Sequence, residues 1–462
     1  MRCALTILGL TVLTALCHSA TIYVPDDYPK IQDAINASAD GDTVIVRPGT
    51  YVENINFVGK LITVKSERGA KSTIIDGGHK DSVVIFESGE DRSTVLDGFT
   101  LTKGRSRGDG GGIYCKNSEP LIINNIIKGN TISNDGGGIY FRADYCGLVT
   151  PVVANTVVTN NAAGTGGGIY CICVSAIVEN CTIKENSATN YGGGFCFQIC
   201  SPTISNTVII GNTAERGGGG ISNLSGSSPL ILNTTLVKNT AERDGGGIYC
   251  GDTDSSPVVR NSVLWDNDAP TGREIKGNNV VVSFSDVKGS WPGTGNLNID
   301  PLFVDLANDD IHLTAASPCG DTGHNAFVAV PFDFEGDRRI AGDAVDMGAD
   351  EFYYHLYHTG DVIAGSPIDI KIVGVPGLPA LLALGTGIQD PPQSTPHGDL
   401  WLTMPPAKSW QLGAIPGTGI LTMPGTVPAV WPSGSEHPFQ ALVGTWGGWE
   451  TRLTNLLLLE VE

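Results

Sequence analysis

The sequence predicts an all-β protein in which most of the chain winds into a solenoid of short, stacked strands. Two repeated phrases indicate this fold. A glycine triplet followed by an apolar residue occurs six times, with the apolar residue at positions 113, 139, 169, 195, 221 and 248. A pair of asparagines six residues apart recurs in step with it, beginning at positions 124, 155, 180, 206, 233 and 261. A unit this short cannot bury its own apolar face, whereas stacked units can.

Each unit contains three short runs with strand character, separated by turns rich in glycine and asparagine. An apolar residue lies two positions before the first asparagine and another lies three positions after it, as Ile122 and Ile127 do around Asn124. Glycine and asparagine tolerate the positive φ that tight turns require. At the usual strand spacing of about 4.8 Å, the asparagines of successive units stack and satisfy backbone groups of neighbouring turns.

With these phrases the chain resembles a right-handed parallel β-helix, the fold of the pectate lyases. It is most similar to exported β-helix repeat proteins, and the resemblance covers residues 21–352. Residues 41–51 are similar to the first coil of that group, and residues 317–323 and 346–351 are similar to its closing phrases. The resemblance implies the fold, but it does not indicate a particular reaction.

Composition divides the chain into four parts. Residues 1–20 are predicted to be a signal peptide, with Arg2, an apolar run and a small-residue cleavage site. Residues 21–41 are predicted to form a strand and helix that cap the open end of the solenoid, which spans residues 42–352. Residues 353–462 hold five of the seven tryptophans and no cysteine, and they alternate strand-like runs with Pro/Gly turns. This pattern predicts a small C-terminal β-sandwich.

The charge balance restricts the partners. The chain has 28 Lys+Arg against 48 Asp+Glu, a formal net charge of −20. Nucleic-acid binding requires basic patches, so no nucleic-acid partner is expected. After the signal peptide no apolar stretch is long enough to cross a bilayer, so the mature chain is predicted to lack a transmembrane segment. We expect it to be secreted, extracellular or at the cell surface.

Nine cysteines remain after the predicted cleavage. Strand alternation places Cys115, Cys171 and Cys250 in one inward column, where they are predicted to fill the core. Cys173 lies about one coil from both Cys146 and Cys200, so either pair is a candidate disulfide. No spacing of histidines and cysteines resembles a zinc site, and no metal site is predicted.

Outward-facing tyrosines follow the glycine triplets. Tyr114, Tyr140, Tyr170 and Tyr249 occupy equivalent positions, with Cys196 and Ser222 at the same position of the other coils. One interpretation is an aromatic platform that binds a polysaccharide chain. The structural alternative is a tyrosine ladder that only stabilises the sheet.

The resemblance also implies where a catalytic site would lie, on the outer face of one sheet beside the turns. The acidic calcium ligands of the pectate lyases and the paired aspartates of the polygalacturonases have no counterpart here. Some alginate and chondroitin lyases of this fold use a Lys and an Arg, and Lys116 and Arg142 are matching candidates. Such a reaction needs a cation, commonly Ca²⁺, which Asp109, Asp135 and Asp144 would hold. The structural alternative is two solvated surface charges.

Three functions are therefore carried forward. The first is a secreted or cell-surface protein that binds a polysaccharide or cell-envelope glycan without an assigned reaction. The second is a polysaccharide lyase or glycoside hydrolase that acts on the outer face of the solenoid. The third is a structural or adhesive stalk.

Overall fold

The computed structural model describes residues 19–352, apart from 107, 341 and 342, together with ten strands between residues 356 and 460. All but the last two residues of the predicted signal peptide lie outside this part of the chain. Between residues 21 and 287 the chain winds into coils whose strands pair in parallel with the equivalent strands of adjacent coils. The predicted right-handed parallel β-solenoid is confirmed.

Four parallel sheets run along the solenoid. Sheet A contains 11 strands: Thr21–Val24, Thr43–Val46, Thr63–Ser66, Val95–Asp97, Leu121–Ile123, Val152–Ala154, Ile177–Glu179, Thr203–Ser205, Leu230–Leu232, Val258–Arg260 and Val281–Ser283. Sheet B contains 10 strands: Gly49–Val52, Thr73–Asp76, Thr100–Thr102, Ile126–Lys128, Val157–Thr159, Thr182–Lys184, Val208–Ile210, Thr235–Val237, Val263–Trp265 and Asp286–Val287.

Sheet C contains nine strands and lies beside the glycine triplets: Ile55–Asn56, Val84–Phe86, Ile113–Lys116, Ile139–Arg142, Ile169–Ile172, Phe195–Gln198, Ile221–Leu224, Ile248–Cys250 and Ile275–Lys276. Sheet D is short, with four strands: Ala162–Ala163, Ser187–Ala188, Thr213–Ala214 and Thr240–Ala241.

The second asparagine of each pair builds a hydrogen-bonded column inside the solenoid. Asn130, Asn161, Asn186, Asn212 and Asn239 each donate from Nδ2 to Oδ1 of the next asparagine at 2.9–3.0 Å. The first asparagine of each pair, by contrast, takes positive φ, between 46° and 57°. The predicted asparagine stacking is therefore confirmed, and the two members of a pair have different tasks.

The glycine triplets are required by close backbone approach. Gly136 begins one triplet at φ 75°, a conformation that L side chains rarely adopt. A Cβ on the next triplet's central residue, Gly167, would lie 2.3 Å from the carbonyl oxygen of Ser187 in the next coil. The triplet thus lets consecutive turns stack without side chains between them.

The core is a continuous column of apolar side chains, and a short helix covers its first coil. Ile113, Ile139 and Ile169 are fully buried, and the inward cysteines are buried among them. The helix Ile31–Ala37 buries Ile31, Ala34 and Ile35. The carboxylate of Glu53 accepts hydrogen bonds from the first two backbone amides of this helix, both at 3.1 Å.

A closing segment, residues 303–352, folds back over the outer face of sheet B. It contains an antiparallel pair of strands, Phe303–Asp305 and Asp310–Leu313, and two 3₁₀ helices, Leu306–Asn308 and Asn325–Phe327. Ile311 and Ala349 of this segment pack on Val208, Ile210 and Val237 of sheet B. Asp309 also forms ion pairs with Lys184 and Lys238 of two different coils. The segment therefore ties several coils together.

Beyond residue 352 the described chain consists of antiparallel strands. They are Leu356–Thr359, Pro367–Val373, Pro379–Leu384, Ile388–Thr395, Gly398–Leu402, Lys408–Ala414, Ile420–Thr426, Glu436–Val443, Arg452–Leu453 and Leu457–Glu460. A β-sandwich remains a prediction for this region. Within the residues described, no helix is both long and apolar enough to cross a membrane.

Candidate functional site

The outer face of sheet C carries a stack of three tyrosine rings. The strand register pairs Tyr114 with Tyr140 and Tyr140 with Tyr170. The ring centroids are 5.6 Å and 5.5 Å apart, and the planes are within 11° and 3° of parallel. One tyrosine at the same place in three successive coils thus forms a continuous aromatic ladder, as predicted.

Two of the three rings in this ladder are buried. Tyr140 and Tyr170 are only 3% and 4% exposed, and they pack with Cys196, whereas Tyr114 at the end is half-buried. Burial raises the pKa of both Tyr140 and Tyr170 above that of a free phenol. The ring faces contact neighbouring rings, so a ligand can approach only the end ring and the edges of the others.

Tyr249 does not join this ladder. Cys196 and Ser222 occupy the two intervening coils, and the ring of Tyr249 stacks instead on Tyr191 at 5.6 Å. The guanidinium of Arg216 lies over the other stacked ring, 5.8 Å from the centroid of Tyr191. Tyr191 precedes a glycine triplet and lies outside the strand alternation, so the repeat does not single it out.

Lys116 and Arg142 are register partners on adjacent strands, as predicted. Both side chains pair with one carboxylate: Lys116 Nζ lies 3.3 Å from Asp144 Oδ2, and Arg142 Nε lies 3.8 Å from Asp144 Oδ1. Asn117 donates from Nδ2 to the same carboxylate at 2.8 Å, and its own amide oxygen accepts from the Asp144 backbone at 2.8 Å. These neighbours lower the pKa of Asp144, the Asn117 hydrogen bond most of all. The two cations are thus members of a polar cluster rather than isolated charges.

This cluster continues to the tyrosine ladder through one hydroxyl. The Tyr140 hydroxyl lies close enough to the Arg142 guanidinium and to the Asp109 carboxylate for both to influence its pKa. Its contact with Tyr140 raises the pKa of Arg142. The arrangement joins a buried phenol, a cation and a carboxylate along the edge of sheet C.

The three aspartates that the sequence suggests as calcium ligands do not converge. Asp144 is engaged by Lys116 and Arg142, while Asp109 accepts a hydrogen bond from the backbone amide of Asp135 at 3.4 Å. Burial and the nearby Asp109 charge raise the pKa of the Asp135 carboxyl. Within the described residues, three or more possible metal-ligand atoms come together at a different place, in the closing segment.

A protruding loop borders the polar cluster, and the sequence analysis did not identify it as functional. Residues 143–151 connect the strands Ile139–Arg142 and Val152–Ala154. Tyr145 and Leu148 in this loop are 75% and 71% exposed. Between them, Cys146 forms a disulfide with Cys173 of the next coil. Their exposure becomes visible only in the folded chain, because no repeat marks these positions.

The same disulfide decides between the two pairings that the sequence leaves open. Cys173 bonds to Cys146, and Cys200 remains a buried thiol. The inward cysteines Cys115, Cys171 and Cys250 are buried and free, as predicted for core positions. Burial raises the pKa of these thiols, so they are poor nucleophiles.

Comparisons with known proteins agree with this architecture. A family model described as a right handed beta helix region matches residues 61–236. A second model, the Chlamydia polymorphic membrane protein repeat, matches residues 233–251. A cell surface glycoprotein of Methanothermus fervidus is 28% identical over 132 residues, which cover 28% of this chain and 20% of that protein. The chain therefore spans only about a fifth of that relative's length.

The matched region contains the tyrosine ladder, five of the six glycine triplets and the first four asparagines of the column. The family match, the internal repeat and the parallel register of the strands thus lead to one conclusion. Residues 21–287 form a right-handed parallel β-helix of repeated coils.

Proposed function

We propose that the protein is exported, is displayed at the cell surface and binds a glycan at the rim of sheet C without catalysing a reaction on it. We define the rim as Lys116, Asn117, Arg142, Asp144 and Tyr145. The names of the two surface-related matches support the location. The predicted signal peptide and the acidic charge of −20 support it as well.

One observation carries the binding proposal, namely the exposed ring of Tyr145 beside fixed polar groups. Tyr145 is 75% exposed, although a tyrosine ring that only stabilised the fold would be packed against other side chains. It lies between Asp144, which is hydrogen-bonded to Asn117, and Cys146, which is bonded to Cys173. An aromatic surface receives the apolar face of a sugar ring, and nearby amide and carboxylate groups bind its hydroxyls.

The charges of the rim indicate the kind of glycan. Lys116 and Arg142 share the single carboxylate of Asp144, so this trio has a surplus of one positive charge. The whole chain carries −20, which disfavours a densely charged polyanion. We expect a glycan that is rich in hydroxyl groups and has widely spaced carboxylates. The one surplus positive charge of the trio can then pair with one carboxylate at a time.

The pre-arranged geometry lowers the cost of binding. The reciprocal Asn117 and Asp144 hydrogen bonds hold the two turns together, and the disulfide restrains the loop. Side chains that are already ordered lose less conformational entropy when a ligand binds. This favours binding at the rim over binding at the flat face of sheet C, where Tyr140 and Tyr170 are buried.

A glycan array probed with the purified full chain tests this proposal. We expect Tyr145→Ala and Arg142→Ala each to weaken binding to the best glycan by at least about tenfold, which is roughly 1.4 kcal/mol. Arg273→Ala is the matched control, because Arg273 lies near the last strand of sheet C and pairs with Asp268 on the surface. Equal binding by all three variants would place the ligand elsewhere.

A lyase reaction is the second candidate, and the contact between Tyr140 and Arg142 favours it. A phenol beside a guanidinium can exchange a proton while the cation neutralises a uronate carboxylate. Two features oppose it: burial raises the pKa of Tyr140, and Asp144 engages both Lys116 and Arg142. Incubation with uronate polysaccharides, with and without Ca²⁺, checks for the ultraviolet absorbance of an unsaturated product. Product formation that Arg142→Ala abolishes would replace the binding proposal.

A purely structural or adhesive stalk is the third candidate. In that case the array shows no glycan above background, and the rim variants behave as the parent chain does. The array and the lyase assay together therefore separate the three functions.

A further inference from the structure

A second cluster of polar groups lies in the closing segment, on a different sheet from the rim. His312 accepts or donates at both ring nitrogens: Nδ1 contacts Asp310, and Nε2 lies 2.8 Å from Glu335 Oε2. The ligand atoms of His312, Glu335 and Asp350 all lie within 4.8 Å of one another. Two metal–ligand bonds of about 2.1 Å span at most about 4.2 Å, so a small shift of the side chains brings all three atoms within reach of one ion.

The orientation of His312 fits a metal ligand. Histidines that bind metals donate the N–H of their other ring nitrogen to a carboxylate, which fixes the tautomer and turns the free nitrogen towards the ion. Asp310 stands in this position on Nδ1. Nε2 is then the nitrogen that faces Glu335.

Burial and charge favour a cation at the same point. Asp350 is 1% exposed, and its Oδ2 accepts a hydrogen bond from the backbone amide of Leu313 at 2.7 Å. Buried charges in proteins are paired with opposite charges or coordinate metals. The carboxylates of Asp310 and Glu335 contact the His312 ring, and Glu335 is exposed, which gives an ion a route from solvent.

We propose that His312 Nε2, Glu335 and Asp350 form a site for one divalent transition-metal ion of the Zn²⁺ class. Nitrogen with carboxylate oxygens is a ligand set for Zn²⁺, whereas Ca²⁺ and Mg²⁺ take oxygen ligands. The site joins three parts of the closing segment: the strand Asp310–Leu313, the loop at residues 333–337 and the phrase at residues 346–351. Because all three ligands belong to the segment that covers sheet B, the bound ion holds the parts of this cover together.

The test measures Zn²⁺ binding to the full chain, freed of metal by chelation, by isothermal titration calorimetry. We expect one ion per chain and a rise in the midpoint of thermal unfolding with Zn²⁺. His312→Gln should weaken binding at least about 100-fold, and Asp310→Asn, which changes the orienting carboxylate, about tenfold or more. His324→Gln is the matched control, because His324 belongs to the same segment but stacks on Phe284 and Phe327.

A second variant and a spectroscopic readout keep the result decisive. If circular dichroism shows that His312→Gln does not fold, Glu335→Gln replaces it, since Glu335 is exposed. When Cu²⁺ replaces Zn²⁺, its electron paramagnetic resonance spectrum should show hyperfine coupling to a nitrogen ligand. The His312→Gln variant should lose that coupling. Absence of stoichiometric Zn²⁺ binding, or an equal loss in His324→Gln, would overturn the proposal and leave the cluster as an ion-pair network only.

Discussion

Asn267 donates a hydrogen bond from Nδ2 to the Oε2 atom of Glu274 at 2.5 Å. Every earlier asparagine of the column donates to another asparagine, so a carboxylate ends the column. Glu274 is buried, and it lies directly before Ile275–Lys276, the last strand of sheet C. The end of the solenoid therefore contains an ionisable group where the repeat would place an amide.

The first prediction concerns pH. Burial raises the pKa of Glu274 to about 7, whereas an unfolded chain has a glutamate pKa of about 4.3. The folded state binds this proton more tightly, so the contribution to stability is fully present at acid pH and is lost as pH rises towards about 7. Glu274→Gln keeps an acceptor for Asn267 and removes the titration. We expect it to gain about 2 kcal/mol over the parent chain between about pH 5 and about pH 8.

Urea unfolding of the parent chain and Glu274→Gln at both pH values measures this difference. Other groups titrate in both proteins, so only the change in the difference between them is informative. A difference that does not vary with pH would show that Glu274 has an ordinary pKa in the fold.

The second prediction concerns the asparagine column. Asn186 donates to Val158 O at 2.9 Å and to Asn212 Oδ1 at 3.0 Å, and its own Oδ1 accepts from Asn161. Asn186→Ala leaves several buried groups without these bonds, at about 1–3 kcal/mol each, so we expect a loss of at least about 3 kcal/mol. Chemical denaturation measures this loss of stability. Asn36→Ala, at an exposed position of the N-terminal helix, should change stability by less than about 0.5 kcal/mol.

The third prediction concerns the glycine triplets. A Cβ on Gly167 would lie 2.3 Å from Ser187 O and 2.7 Å from Gly193 O, and both are backbone atoms that cannot move aside singly. Gly167→Ala should therefore prevent stable folding or lower the yield of soluble protein severely. Gly108→Ala is the control, because its nearest contact would be Ser106 Oγ at 3.8 Å. Soluble expression and circular dichroism compare the two, and a well-folded Gly167→Ala protein would contradict the close approach of the turns.

The fourth prediction concerns how the closing segment is held. Arg339 is 1% exposed, and its guanidinium donates to the carbonyl oxygens of Ala349, Asp346 and Gly348 at 3.0–3.1 Å. Arg339→Ala leaves these acceptors buried and unsatisfied, so we expect a loss of at least about 3 kcal/mol in the stability of the segment.

Hydrogen exchange at the sheet B strands Val208–Ile210 and Thr235–Val237 reports this loss, because the segment covers them. We expect faster exchange there in Arg339→Ala and little change in Arg338→Ala, whose side chain is exposed. Unchanged protection in both variants would mean that Arg339 does not anchor the cover.

The repeat predicts much of the candidate site on sheet C, but it does not predict which of its residues a ligand can reach. Strand alternation places Tyr114, Tyr140 and Tyr170 on one outer face and makes Lys116 and Arg142 neighbours, and the register confirms both. The sequence does not reveal that stacking buries Tyr140 and Tyr170, because the exposure of each ring depends on the side chains in the coils above and below it. It also passes over Tyr145, which belongs to a loop that breaks the repeat.

By itself the sequence determined the solenoid, its asparagine column and its aromatic ladder. These depend on contacts between adjacent coils, and a repeat of 26 to 30 residues brings such contacts together wherever it recurs. Only the tertiary structure decided the pairing of Cys146 with Cys173, the cover over sheet B and the meeting of His312 with Asp350. The last two arise where the chain leaves its repeat and folds back on itself, and there no periodic pattern specifies which residues meet.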